Sequence, residues 1–206
     1  MGFKSSFRTM ATVLLLGGVA LANSDRSARI AITVFVNNSA RVSAFILGES
    51  EAEAGRIFYA AGIGVEWVHC QDQRLAQNIC SRVPAVNQFV IHLVPTGTSS
   101  SDFVFGMAFV GQNGTGKYCN IFVDRIKQTE DDVASVAELM GTVMAHELGH
   151  LLLGSRSHSP VGLMRSVWDR ECLQGIGRGK FLFTRQESTL IKERYRTTVA
   201  EVQGND

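Results

Sequence analysis

Late in the segment that reads as the best helix of the chain, residues 131–153, stand His146, Glu147 and His150. An α-helix turns about 100° per residue, so side chains four apart leave the same face one turn apart. The imidazoles of His146 and His150 are therefore close enough to hold one metal ion. Zinc suits neutral imidazole ligands, and an open, reactive zinc site uses three protein ligands, so the pair calls for a third. Glu147, rotated about 100° from His146, lies beside such an ion rather than pointing at it. From there its carboxylate can take a proton from a bound water, which is the position of a general base.

A His-Glu-x-x-His string also arises by chance, and the surrounding residues carry the argument. Gly154 follows the helix and is suited to end it, and His158 arrives four residues later. A turn at Gly154 lets His158 fold back over the metal as the third ligand. The competing reading makes all three residues surface or structural histidines. His69 and His92 have no partner at metal-ligand spacing and read as structural.

The stretch His146-Glu147-Leu148-Gly149-His150, then Gly154, His158 and Gly162-Leu163-Met164, resembles the metzincin zinc peptidases. The resemblance implies His146, His150 and His158 as ligands of one zinc ion, Glu147 as base and Met164 as the methionine of the turn beneath the metal. It also implies a zincin-type catalytic domain. In the usual pattern two residues separate the second histidine from the glycine, and two more precede the third histidine. Here the gaps are Leu151, Leu152, Leu153 and Ser155, Arg156, Ser157, each one residue longer, and the strict position of the third ligand falls on Arg156. A guanidinium does not deprotonate to bind zinc, so the likeness is to a divergent or minimal member, HExxHxxxGxxxH. If it holds, Phe105, Gly106, Met107, Ala108 and Phe109 form an edge strand lining the cleft. A peptide would add to that strand by backbone hydrogen bonds. Trp168, after the methionine turn, would wall the pocket or else cap the core.

The rest of the chain predicts the frame. Residues 30–36 are apolar and β-branched and read as a strand buried on both faces. Residues 43–61 recur at helical spacing and stop at Gly62 and Gly64. Residues 65–69 and 89–94 read as further strands, and residues 103–110 and 118–123 as a hairpin joined by the glycine-rich 111–117. A strand, helix, strand start favours parallel pairing by a right-handed crossover, while the hairpin adds an antiparallel member. The expected class is α+β: a mixed, mostly parallel, twisted sheet with an antiparallel edge strand, packed on the long active-site helix. Thr129 to Asp132 offer capping for that helix, residues 155–179 read as irregular, and a last helix spans 185–197 with a fraying tail. The 111–117 stretch spells a phosphate-loop start, but Tyr118 stands where a Ser or Thr is needed and a strand follows instead of a helix, so nucleotide binding is rejected.

Charge gives no nucleic-acid footprint: 20 basic and 19 acidic residues are spread along 206 positions, which also suit one domain. Lys4 and Arg8 precede an apolar run to Ala22, with small residues at Ala20 and Ala22, so residues 1–22 read as a signal peptide cleaved after Ala22. The run is short for a membrane span of roughly 20 residues, so no stable membrane insertion is expected after cleavage. Residues 23–206 form the single domain, secreted or periplasmic. Four cysteines bound for an oxidising compartment favour disulfides. Cys70 and Cys80 close a short polar loop and are expected to pair, leaving Cys119 with Cys172 by elimination. The expected activity is an exported zinc endopeptidase acting as a monomer on a peptide or protein substrate. The rivals are a catalytically silent zinc-bearing binding module and a metal-dependent amidase on a cell-wall peptide.

Overall fold

A computed structural model of the chain describes residues 30–70, 80, 82–96, 104–129 and 134–204. The expected signal peptide lies outside these residues. Strand β1 (Ile30–Asn38) is buried along most of its length, with Ile32, Val34 and Val36 in the core. Helix α1 (Ala44–Ala60) follows, its first turn capped by the Ser43 hydroxyl accepting from the Ile46 N–H. Gly62, at φ 81°, turns the chain into β2 (Ile63–His69), parallel to β1. Then come β3 (Gln88–Val94), β4 (Gly106–Ala108) and β5 (Tyr118–Phe122). The sheet order is β2-β1-β3-β5-β4, every pair parallel except β4 with β5. This is the mixed, mostly parallel sheet with an antiparallel edge strand that the pattern predicts. The edge strand is shorter than expected, three paired residues rather than residues 103–110. The glycine-rich stretch after it closes the hairpin, held by the Gly111 N–H to the Thr115 carbonyl.

Val123 begins a short helix, α2 (Val123–Lys127), instead of ending β5. The long helix α3 (Val136–Leu153) starts later than the acidic run suggests. Its cap is Ser135, whose hydroxyl accepts from the Glu138 N–H while the Glu138 carboxylate accepts from the Ser135 N–H, a reciprocal box that satisfies two helix-end donors. Residues 155–179 are not wholly irregular: Asp169 caps α4 (Arg170–Gly177), which buries Cys172 and Ile176 one turn apart. Helix α5 (Arg185–Gln203) runs past Ala200, where fraying was expected, and is opened by the Thr184 and Glu187 capping box. Among the described residues no helix is long and apolar enough to cross a membrane.

Cys70 and Cys80 form a disulfide. The expected bridge between Cys119 and Cys172 does not form, and both are buried free thiols. Elimination assumed that an even count must pair. Cys119 instead sits fully buried in the sheet with its thiol toward the Val90 carbonyl, while Cys172 belongs to α4 and receives an N–H from Arg165.

The contact that sets the distance between α1 and α3 is made at Gly141. A Cβ there would stand 2.4 Å from the Ser50 carbonyl oxygen. Glycine inside a helix ordinarily costs about 1 kcal/mol relative to alanine. At Gly141 overpacking of about 1–3 kcal/mol opposes and exceeds that gain. Urea denaturation should therefore find Gly141→Ala destabilised by up to about 2 kcal/mol. Gly48→Ala, with nothing within 4 Å of its new carbon, should be stabilised by up to about 1 kcal/mol.

Candidate metal centre

Helix α3 has almost no solvent face: from Leu139 to Leu152 every residue is buried. His146, Glu147 and His150 are thereby carried into the interior, at 7%, 6% and 6% exposure. Burial of an ionisable group is tolerated only when its hydrogen-bonding capacity is met. The His146 Nδ1 lies 2.8 Å from the Leu163 carbonyl, and the His150 Nδ1 lies 2.8 Å from the Ser155 carbonyl. A carbonyl oxygen only accepts, so in both rings Nδ1 carries the proton and Nε2 carries the lone pair.

The two Nε2 atoms face each other at 3.1 Å. Burial, followed by the neighbouring imidazole His150, pushes His146 down to about 3. Burial also lowers His150 and His158. With both rings neutral, two lone pairs point at one another, a repulsion that a cation between them relieves. Two nitrogens on one tetrahedral zinc at about 2.0–2.1 Å stand about 3.3 Å apart, close to the spacing found. His158, exposed in the loop after α3, completes a triad whose ligating nitrogens lie within 4.8 Å of one another. Three imidazoles, two oriented by backbone carbonyls, are a donor set that fits zinc.

Glu147 points between α3 and the edge strand. Burial raises it to about 8, opposed by the N–H that Ala108 donates to its carboxylate. The approach needs Gly106: a Cβ there would meet Glu147 Oε1 and Cγ at 2.7 Å. Below the histidines, Met164 is buried and packs against Gly149, where a Cβ would stand 2.7 Å from its sulfur. Gly162, at φ 75°, forms the turn that presents the Leu163 carbonyl to His146.

A cleft of about 660 Å³ opens over this centre. It is lined by the three histidines and Glu147, by Phe105, Gly106, Met107 and Ala108 of the edge strand, and by Trp168. Phe109 lies outside it and lines a smaller adjoining hollow. The Trp168 ring stands edge-on to His146 at 5.4 Å and to Phe181 at 5.3 Å, so it both walls the cleft and caps the core. Cys70, Cys80, Cys119 and Cys172 do not line it. Arg156, at the strict third-ligand position, also lines the cleft, and its Nε and Nη2 donate to the Val110 carbonyl.

Sequence reading missed what holds the His158 loop. The Ser159 N–H donates to the Met164 carbonyl, and its hydroxyl makes a short hydrogen bond to Glu187 Oε1. Glu187, buried at 6%, keeps its other oxygen on the Thr184 N–H. The Thr184 to Glu187 spacing announces a helix cap, but its reach to Ser159 has no sequence signal.

No protein-family model matches the chain, and no curated protein matches it. Its structure is similar to that of archaemetzincin from Methanopyrus kandleri, with a TM-score of 0.51 and 16% sequence identity, over 84% of this chain and 99% of that one. At that identity the likeness is one of fold.

Ser159→Ala should weaken zinc binding tenfold or more, about the effect of losing an outer partner of a metal ligand. Ser157→Ala, exposed in the same loop, should stay within about twofold. Competition with a chromophoric chelator measures both.

Proposed function

We propose that the chain is an exported zinc-dependent endopeptidase in which His146, His150 and His158 hold one ion and Glu147 moves the proton. The observation that carries this reading is the pair of buried neutral imidazoles with facing lone pairs at 3.1 Å, beside a desolvated carboxylate. The fold likeness supports it independently of the motif, since the similar structure bears the name archaemetzincin. Bound zinc would lower the pKa of a water to about 7 and polarise a carbonyl.

The chain's own groups supply the rest. The Glu147 carboxylate, clamped by the Ala108 N–H, has the raised proton affinity a general base requires. It accepts the proton of the attacking water and passes it to the departing amine, so no covalent intermediate on the protein is needed. Strand β4 stands at the sheet edge and lines the cleft, so its free edge suits an extended peptide added as one more strand. Trp168 and Phe105, 6.4 Å apart, shield one end of the cleft and favour an apolar side chain there. Export through residues 1–22 and action as a monomer complete the reading.

Hydrolysis of a quenched peptide library should be abolished by chelator and restored by zinc. Glu147→Gln should keep its zinc and lose about 10²–10⁴ in kcat/KM. Full activity in the variant or in metal-free protein would refute the assignment. Gly106→Ala, which displaces the carboxylate without touching a ligand, should retain zinc and lose about a hundredfold in kcat.

A further inference from the structure

Among the described residues, Arg156 is the arginine of the cleft without an ion pair. It lines both the cleft over the histidines and the adjoining hollow of about 460 Å³ beside residues 107–111. The other arginine of the cleft, Arg165, has an acidic neighbour, Asp169 at 3.3 Å, and gives a second N–H to Cys172. Of the described residues that line either hollow, Glu147 alone carries a carboxylate, and it faces the Ala108 N–H.

The way Arg156 is held fixes what it offers. A guanidinium has five N–H donors in a planar fork. The edge formed by Nε and Nη2 is taken by the Val110 carbonyl, at 2.9 and 2.5 Å. Left over are the two donors of Nη1 and one of Nη2, the end-on edge that matches the two oxygens of a carboxylate. Because the Val110 carbonyl already orients the plane, little side-chain freedom remains to be lost on binding. A peptide laid along β4 from the cleft into the second hollow passes Arg156, which lines both.

Resting on the peptidase reading, the geometry points to Arg156 as a carboxylate-recognising residue, which makes acidic peptides the favoured substrate class. The carboxylate is that of an Asp or Glu side chain near the scissile bond or that of a free chain terminus. At the site a cation faces a carboxylate near the surface, so the preference weakens as salt rises.

The test uses the full mature chain, zinc-loaded and carrying Glu147→Gln so that peptides are bound but not cut. Fluorescence anisotropy compares labelled peptides identical except for Glu against Gln at successive positions, each with a free and an amidated C-terminus. At least one acidic position, or the free terminus, should bind about tenfold tighter than its neutral counterpart. The position identifies which carboxylate is read. Adding Arg156→Gln should bring the ratio close to one while the neutral peptide keeps its affinity. Arg156→Lys, which keeps charge but loses the fork, should retain only part of the preference. Equal binding of acidic and neutral peptides, a preference that survives Arg156→Gln, or an equal loss for both peptides would overturn the inference. The last result would make Arg156 only a strap for the edge strand. Charge-selective binding without turnover in the wild-type chain would refute the peptidase reading and leave the carboxylate site standing. Chelator-sensitive turnover without charge preference would do the reverse.

Discussion

Two hydrogen bonds from imidazole Nδ1 atoms to backbone carbonyls determine how the centre of this molecule is built. Helix α3 drives His146 and His150 into an apolar interior, where an unpartnered ring nitrogen costs on the order of 1–3 kcal/mol. The carbonyls of Leu163 and Ser155 meet that demand from two different turns. Each fixes a tautomer, and together they aim two lone pairs at one point. The neighbouring glycines follow from the same demand. Gly162 makes the turn that brings up Leu163, Gly149 admits Met164 beneath the rings, and Gly154, left-handed at φ 61°, leads directly into Ser155.

The same bond accounts for the lengthened spacing after α3. The third leucine extends the helix to Leu153, so Gly154 and the Ser155 carbonyl stand beside His150. The extra residue after the glycine leaves Arg156 on the Val110 carbonyl and His158 to return over the cleft. A loop of this kind has no regular backbone pairing of its own. It is held at Ser159 by Met164 from one side and by Glu187 from the other. The buried carboxylate of a helix cap thus steadies the neighbour of His158, a link between two elements far apart in sequence.

Much of the frame was legible because it rests on local pattern. The β-branched run of β1, the helical spacing of α1, the glycine at its end and the hairpin before β5 all carry their own signals, and together they imply a mixed, mostly parallel sheet, though not the order of its strands. The proximity of His146 to His150 follows from helix geometry alone. What stayed hidden depends on contacts between distant residues. The necessity of Gly106 appears only when Glu147 is seen to occupy the space of its missing Cβ. The acidic run before α3 competed with Ser135 as a cap, and the reciprocal bond with Glu138 decided it. Helix α4 was within reach, since Asp169 is a good cap with Cys172 and Ile176 one turn apart. The cysteine pairing failed for a different reason: counting thiols says nothing about where a strand and a later helix carry them.

Holding one zinc ion in this centre requires His158 to complete the coordination with His146 and His150. Zinc K-edge X-ray absorption on the zinc-loaded chain measures this most directly. Three imidazole nitrogens at about 2.0–2.1 Å are expected in the wild type and two in His158→Ala, with an added oxygen scatterer in the variant. An identical first shell in the two proteins, or a wild-type site without imidazole scattering, would contradict it.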